Sequence, residues 1–170
     1  MTGDAVRDNT ALSAMLLNSS SIIDLESDEG QTIRTVYAEA RGENAVSQEA
    51  VANVIQNRAE QRGKSVKATV TAPFQFTAVT GPGDPNRSAY INPVEHAKST
   101  GANMNALRSV VKAVHVALAP GSDNTGGATM YYSPKSMGGR SPNWNFTKLV
   151  SVNVKGIDTE SFRCYKQAAK

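Results

Sequence analysis

The chain is poor in the residues from which many active centres and all disulfide frameworks are built. It has one cysteine, Cys164, and two histidines, His96 and His115, in 170 residues. One cysteine forms no internal disulfide, so packing must hold the fold, and folding under reducing conditions is compatible with it. Cys164 lies in the alternating stretch Phe162-Arg163-Cys164 and reads as a small core residue. A zinc hydrolase needs His, Asp or Cys ligands at fixed spacing. No His-Glu-x-x-His pattern occurs: His96 neighbours Glu95, and His115 sits between the apolar Val114 and Val116. Packing or surface roles are expected for both, and no metal site. A Cys–His hydrolase would have to rely on Cys164, close to the C-terminus. Neither the phosphate-binding G-x-x-x-x-G-K-[ST] pattern nor a dinucleotide fingerprint is present, so no cofactor is expected.

Long apolar runs are also missing. Nothing approaches the ~18 consecutive apolar residues that suggest a membrane span, and no stable membrane insertion is expected. The N-terminus carries Asp4, Arg7 and Asp8 where a secretory signal has net positive charge, and Ser13 breaks its apolar run. Aromatics are 6% and charged residues 19% of the chain, against 39% hydrophobic. That is an ordinary globular composition, and the length suits one domain with a real core. Charge is uneven. Residues 1–30 hold six acidic and one basic side chain, and residues 135–170 hold seven basic and two acidic ones. The net charge of +3 suits contact with an anionic polymer or an ordinary solvated surface. Without a recognisable motif, it does not make a nucleic-acid binder.

What is present is helical periodicity. Residues 1–27 read as a loosely ordered arm from which Leu16, Leu17, Ile22, Ile23 and Leu25 can dock on a domain spanning 28–170. A first helix over 29–41 follows from Ile33, Val36, Tyr37 and Ala40 on one face, with Asp28 and Gln31 as a capping-box-like pair and Gly42 as the stop. A second helix is predicted from a Ser47 cap to Gly63, with Val51, Val54, Ile55 and Ala59 inward. A short helix over Val66 to Thr71 stops at Pro73. The Gly-, Pro-, Asn- and Asp-rich residues 80–93 read as an irregular loop. Met104, Leu107, Val110, Val111, Val114 and Leu118 form the face of a third long helix ended by Pro120-Gly121. Gly126-Gly127 reads as a turn into a short strand at Tyr131 and Tyr132, and a further strand is expected from Leu149 to Val154.

The richest segment chemically is Tyr37-Ala38-Glu39-Ala40-Arg41-Gly42-Glu43. The predicted helix puts Glu39 and Glu43 on one flank, beside the apolar face. A carboxyl at the edge of a core is partly desolvated and its pKa rises, so it retains a proton that it can deliver to a leaving oxygen. A solvated flank with ordinary surface charges is the competing reading.

Four blocks in order widen the view: Tyr37 to Glu43, Ser47 to Arg58, Pro73-Phe74-Gln75-Phe76-Thr77-Ala78-Val79, and Thr125 to Pro134. Over about residues 31–157 they resemble the catalytic domain of the spore-cortex-lytic cell-wall hydrolases, a family with bacteriophage members. The resemblance implies a mainly α (α+β) single domain of lysozyme-like, goose-type transglycosylase fold, with a small β element. It implies cleavage of peptidoglycan between MurNAc and GlcNAc, with Glu39 as the catalytic acid. A lytic transglycosylase works with one glutamate, because the substrate's own C6 hydroxyl is the nucleophile. A hydrolytic muramidase needs a second carboxylate. The acidic candidates for that role are Glu43, Asp84, Glu95 and Asp123, and Glu43 is expected to orient Glu39 and raise its pKa.

Thr77, Tyr131 and Tyr132 can offer hydroxyls to substrate, or else serve as turn cap and core. Of Phe74, Phe76, Tyr90 and Trp144, one or two are expected to face sugar. The glycine- and proline-rich residues 81–93 and the segment Gly138 to Trp144 depart from the family pattern. Peptidoglycan is the expected partner of a monomer made in the cytoplasm and acting on the wall. Lacking a signal architecture, a wall enzyme needs another exit, which suits holin-dependent release of a phage endolysin or association with a virion. A non-catalytic wall-binding or structural virion module is the remaining alternative.

Overall fold

The computed structural model describes residues 23–170. Helix α1 (Asp28–Ala40) is the centre of the helical body, and each of the other six α-helices among the described residues packs on it: α2 (Ala45–Arg62), α3 (Val66–Val70), α4 (Thr77–Thr80), α5 (Arg87–Ile91), α6 (Pro93–Ala97) and α7 (Gly101–Ala117). A helix in that position must be apolar on most of its surface. Ile33, Val36, Tyr37, Ala38 and Ala40 are all buried in it, and Gln31, Thr32 and Thr35 are buried with their polar groups bonded inside the fold. The core joins this helix to Val51 and Ile55 of α2 and to Leu107, Val110, Val111 and Val114 of α7.

Three strands, β1 (Met130–Tyr132), β2 (Leu149–Val152) and β3 (Arg163–Gln167), form an antiparallel sheet in the order β1-β3-β2. A smaller core of Ala50, Val54, Ala128, Val154 and the buried Cys164 seats this sheet against α2. The helix-rich architecture with a small sheet agrees with a mainly α, α+β expectation.

Local details depart from the sequence reading. The N-cap of α1 is Ser27, whose Oγ accepts the Gly30 N–H. Asp28 is already helical, and its carboxylate accepts the Val66 N–H of α3 instead. Likewise Asn44, not Ser47, caps α2, and Ser47 is buried inside the first turn. Helix α1 ends at Ala40 with Arg41 as a right-handed cap, so Gly42 is not the left-handed stop and Glu43 lies beyond the helix. Residues 80–93 are not all irregular: α5 occupies 87–91 and buries Ala89 and Tyr90. Tertiary bonds explain it. The guanidinium of Arg34 in α1 donates to the carbonyls of Tyr90 and Ile91 at 2.9 and 3.2 Å and lies over the Tyr90 ring, while the Tyr90 hydroxyl donates to Gln31. Pattern within the segment alone carries none of this. Ile23 is buried and Leu25 packs on the main core, as expected of docking residues; Leu16, Leu17 and Ile22 lie outside the described residues.

Candidate active site

A cleft of about 690 Å³ opens where the helical body meets the sheet. Its floor is the end of α1. Glu39 sits in the last turn of that helix, where the carbonyl end of the macrodipole disfavours a negative charge. Its Oε2 accepts a hydrogen bond from the Tyr131 hydroxyl of β1 at 3.2 Å, whereas Oε1 is buried and has no partner. Burial raises the Glu39 pKa above the ordinary carboxylate value, and the charge of Asp84 adds to the rise. The Ala78 amide, the Tyr131 hydroxyl and the Arg58 guanidinium pull it part of the way back. The outcome is a carboxyl that holds its proton to higher pH than a surface glutamate does.

Among the described residues, Glu39 and Glu43 are the acidic side chains that line this cleft. Glu43 stands in the turn after α1, whose Ala40 carbonyl accepts its N–H, and so does not share a helical flank with Glu39. The other candidate acids have local partners of their own. Asp84 caps the Asn86 N–H, and Glu95 pairs with Lys98. Asp123 ties down the 123–128 loop, accepting from Thr125 N–H and hydroxyl, from Gly127 N–H and from Asn57.

Among the residues singled out for substrate contact, Thr77 is exposed on the cleft at the start of α4. Tyr131 reaches the cleft but spends its hydroxyl on Glu39. Tyr132 is buried to 7% exposure, and its ring belongs to an aromatic cluster with Trp144, Phe146 and Tyr165. Phe76 is only 2% exposed and lies under the Arg58 guanidinium at 4.9 Å, so its ring is a support beneath the cleft with almost no surface to offer. Tyr90 is core, whereas Phe74 and Trp144 both line the cleft.

Arg58 is a cleft-lining residue that sequence reasoning passed over. It donates from Nε and Nη2 to the Thr129 carbonyl at 2.9 and 2.7 Å and from Nη1 towards Gln75. It thereby joins α2, the Gln75 turn and the entry to β1 beneath the cleft. The signal was available: Val51, Val54, Ile55 and Arg58 follow the i, i+3, i+4, i+7 spacing. An arginine inside an apolar stripe is one held indoors by partners.

The family model described as Cell Wall Hydrolase matches residues 42–162, most of the described chain. The chain belongs to the cell wall hydrolase family. A spore cortex-lytic enzyme of Halalkalibacterium halodurans is 36% identical to it over 103 residues, covering 59% of this chain and 26% of that protein. The chain therefore spans about a quarter of this relative's length. No solved structure matches it. Within this cell wall hydrolase, the family match includes Glu43, Arg58, Phe74, Thr77, Tyr131 and Trp144, and Glu39 lies just upstream of its first residue. Among the described residues, no three His, Cys, Asp or Glu side chains gather as a metal-binding group, and no helix is long and apolar enough to cross a membrane.

Proposed function

We propose that this domain cleaves the glycan strand of peptidoglycan between MurNAc and GlcNAc, as a lytic transglycosylase that uses Glu39 as its single acid and base. One observation carries the reading: a desolvated glutamate lining a cleft, with its pKa raised by burial and its carboxyl oriented by the Tyr131 hydroxyl. A glycan bound in the cleft presents its bridging oxygen to this carboxyl. The neutral carboxyl protonates that oxygen as the glycosidic bond breaks. The carboxylate left behind then takes the proton of the substrate's C6 hydroxyl as it closes on the anomeric carbon, giving a 1,6-anhydro end and restoring the acid. Membership of the cell wall hydrolase family supports the wall as substrate. A goose-type, lysozyme-like arrangement of the helices around Glu39 is part of the same proposal. Glu43, in the same cleft, supports a second reading, a hydrolytic muramidase in which it activates water.

Replacing Glu39 tests the assignment. Glu39→Gln keeps the shape and removes the transferable proton, so turnover of purified peptidoglycan is expected to fall by ~100-fold or more. Folding should survive. A pKa raised in the folded state means that Glu39 weakens the fold as pH climbs from its ordinary value near 4.5 through its raised one. The Gln variant is therefore expected to match the parent's Tm at pH 4 and to equal or exceed it at pH 8. Near-normal wall lysis by a folded Gln variant would remove Glu39 from the mechanism. Glu43→Gln should cost less, and an equal loss would favour the muramidase reading.

A further inference from the structure

Phe74 combines two unfavourable features. Among the described residues it is the only non-glycine with a positive φ, 61°. Its side chain is also 98% exposed. The Gln75 N–H donates to the Ala72 carbonyl at 3.3 Å, closing a four-residue turn with Pro73 second and Phe74 third. Proline fixes the second φ as negative, so only the third residue is left-handed. That is the type II pattern, whose third position calls for glycine or asparagine. A bulky residue there is strained. The flanks keep it so: Pro73 is rigid, the Gln75 side chain is held by Arg62 at 2.8 Å and Arg58 at 3.4 Å, and the Phe76 ring is buried next door.

Folding alone gives no reason for a phenyl ring at this position, because it packs on nothing and strains its own backbone. The ring does line the cleft that holds Glu39. It reaches the cleft from the helical side, while Trp144, fixed edge-on to Tyr132 and Tyr165, reaches it from the sheet side. The same cleft is lined by hydrogen-bonding groups, including Glu43, Gln61, Arg62 and Thr77. A pyranose ring has this mixed character, with hydroxyls at its edge and an apolar C–H face. We propose that Phe74 is a substrate contact that lays its ring on the C–H face of one sugar of the glycan strand, with Trp144 contributing to the same strand's grip. The inference rests on the glycan-strand reading above and adds to it the residue that positions the strand over Glu39.

The test separates binding from strain. Glycine at position 74 suits the turn, so Phe74→Gly is expected to leave Tm unchanged or raise it. It should raise KM for purified peptidoglycan by about tenfold or more, the scale of losing one buried phenyl contact, with a smaller change in kcat. Phe74→Tyr keeps the ring and should restore KM. Binding is read in parallel with peptide-stripped glycan strands as the probe, comparing Glu39→Gln with the Glu39→Gln/Phe74→Gly double variant. Weaker binding by the double variant supports the contact even if the parent proves not to cleave glycan, an outcome that would sink only the catalytic reading. Unchanged KM and equal strand binding after Phe74→Gly overturn the contact while leaving cleavage at Glu39 untouched. Loss of binding to isolated stem peptides, with strand binding intact, would overturn it in favour of a peptide occupant. A parent that binds no glycan strand at all would overturn both proposals.

Discussion

The surroundings of Glu39 are built by neighbours far away in the chain. Its own segment supplies the position at the edge of the apolar face, and that much was legible. The hydroxyl on its Oε2 comes from Tyr131, 92 residues later, and Arg58 and Ala78 come from two further elements. Periodicity within one helix cannot report such partners. Nor does it tell whether the Phe76 ring stands in the cleft or beneath it, because an aromatic next to a turn looks alike in either position. The Tyr131 bond is open to a direct check. It stabilises the charged form of Glu39, so removing it raises the pKa further. If the protonated carboxyl is the acid, Tyr131→Phe should carry the descending limb of the pH–activity profile to higher pH, whatever it does to the maximum rate. A limb that stays in place or moves lower would mean that Glu39 is not the group being titrated.

At the level of elements, helices with a strong apolar face were legible and their ends were not. Val51, Val54, Ile55 and Ala59 in α2 and Leu107, Val110, Val111 and Val114 in α7 are buried as their spacing requires. Caps shifted because Ser27 competes with Asp28, and Asn44 with Ser47, for the same orphan amides. All four residue types suit the role. Helix α5 was missed because Arg34 and Gln31, both on α1, complete it. Strand β3 appeared only as an alternating stretch around Cys164, since three to five residues of alternation do not name a partner strand. Gly30 shows packing overruling propensity in the same way. Alanine is the better helix former by about 1 kcal/mol. A Cβ at position 30, however, would stand 2.1 Å from the Asp24 carbonyl oxygen and 2.4 Å from the Leu25 Cα. Gly30→Ala should therefore destabilise the domain by about 1–3 kcal/mol, seen as a lower denaturant midpoint. A rise in the midpoint would show that the 24–25 backbone does not close over α1 in solution.

The molecule as a whole divides its labour between a helical body and a small sheet. The body buries α1 to its end, and in the last turn only Glu39 stays partly open, towards the cleft. The sheet, seated on α2, brings Tyr131 to Glu39 and holds Trp144 at the same cleft. The cleft exists only where the two meet, which is why separate segments of sequence implied its parts but not their arrangement. The central claim is that this cleft breaks a glycosidic bond with one glutamate. Mass spectrometry of the soluble products from purified peptidoglycan tests it most directly, with Glu39→Gln as the control. The account predicts muropeptides ending in 1,6-anhydro muramic acid, absent from the control digest. Free stem peptides released from intact glycan strands would contradict it.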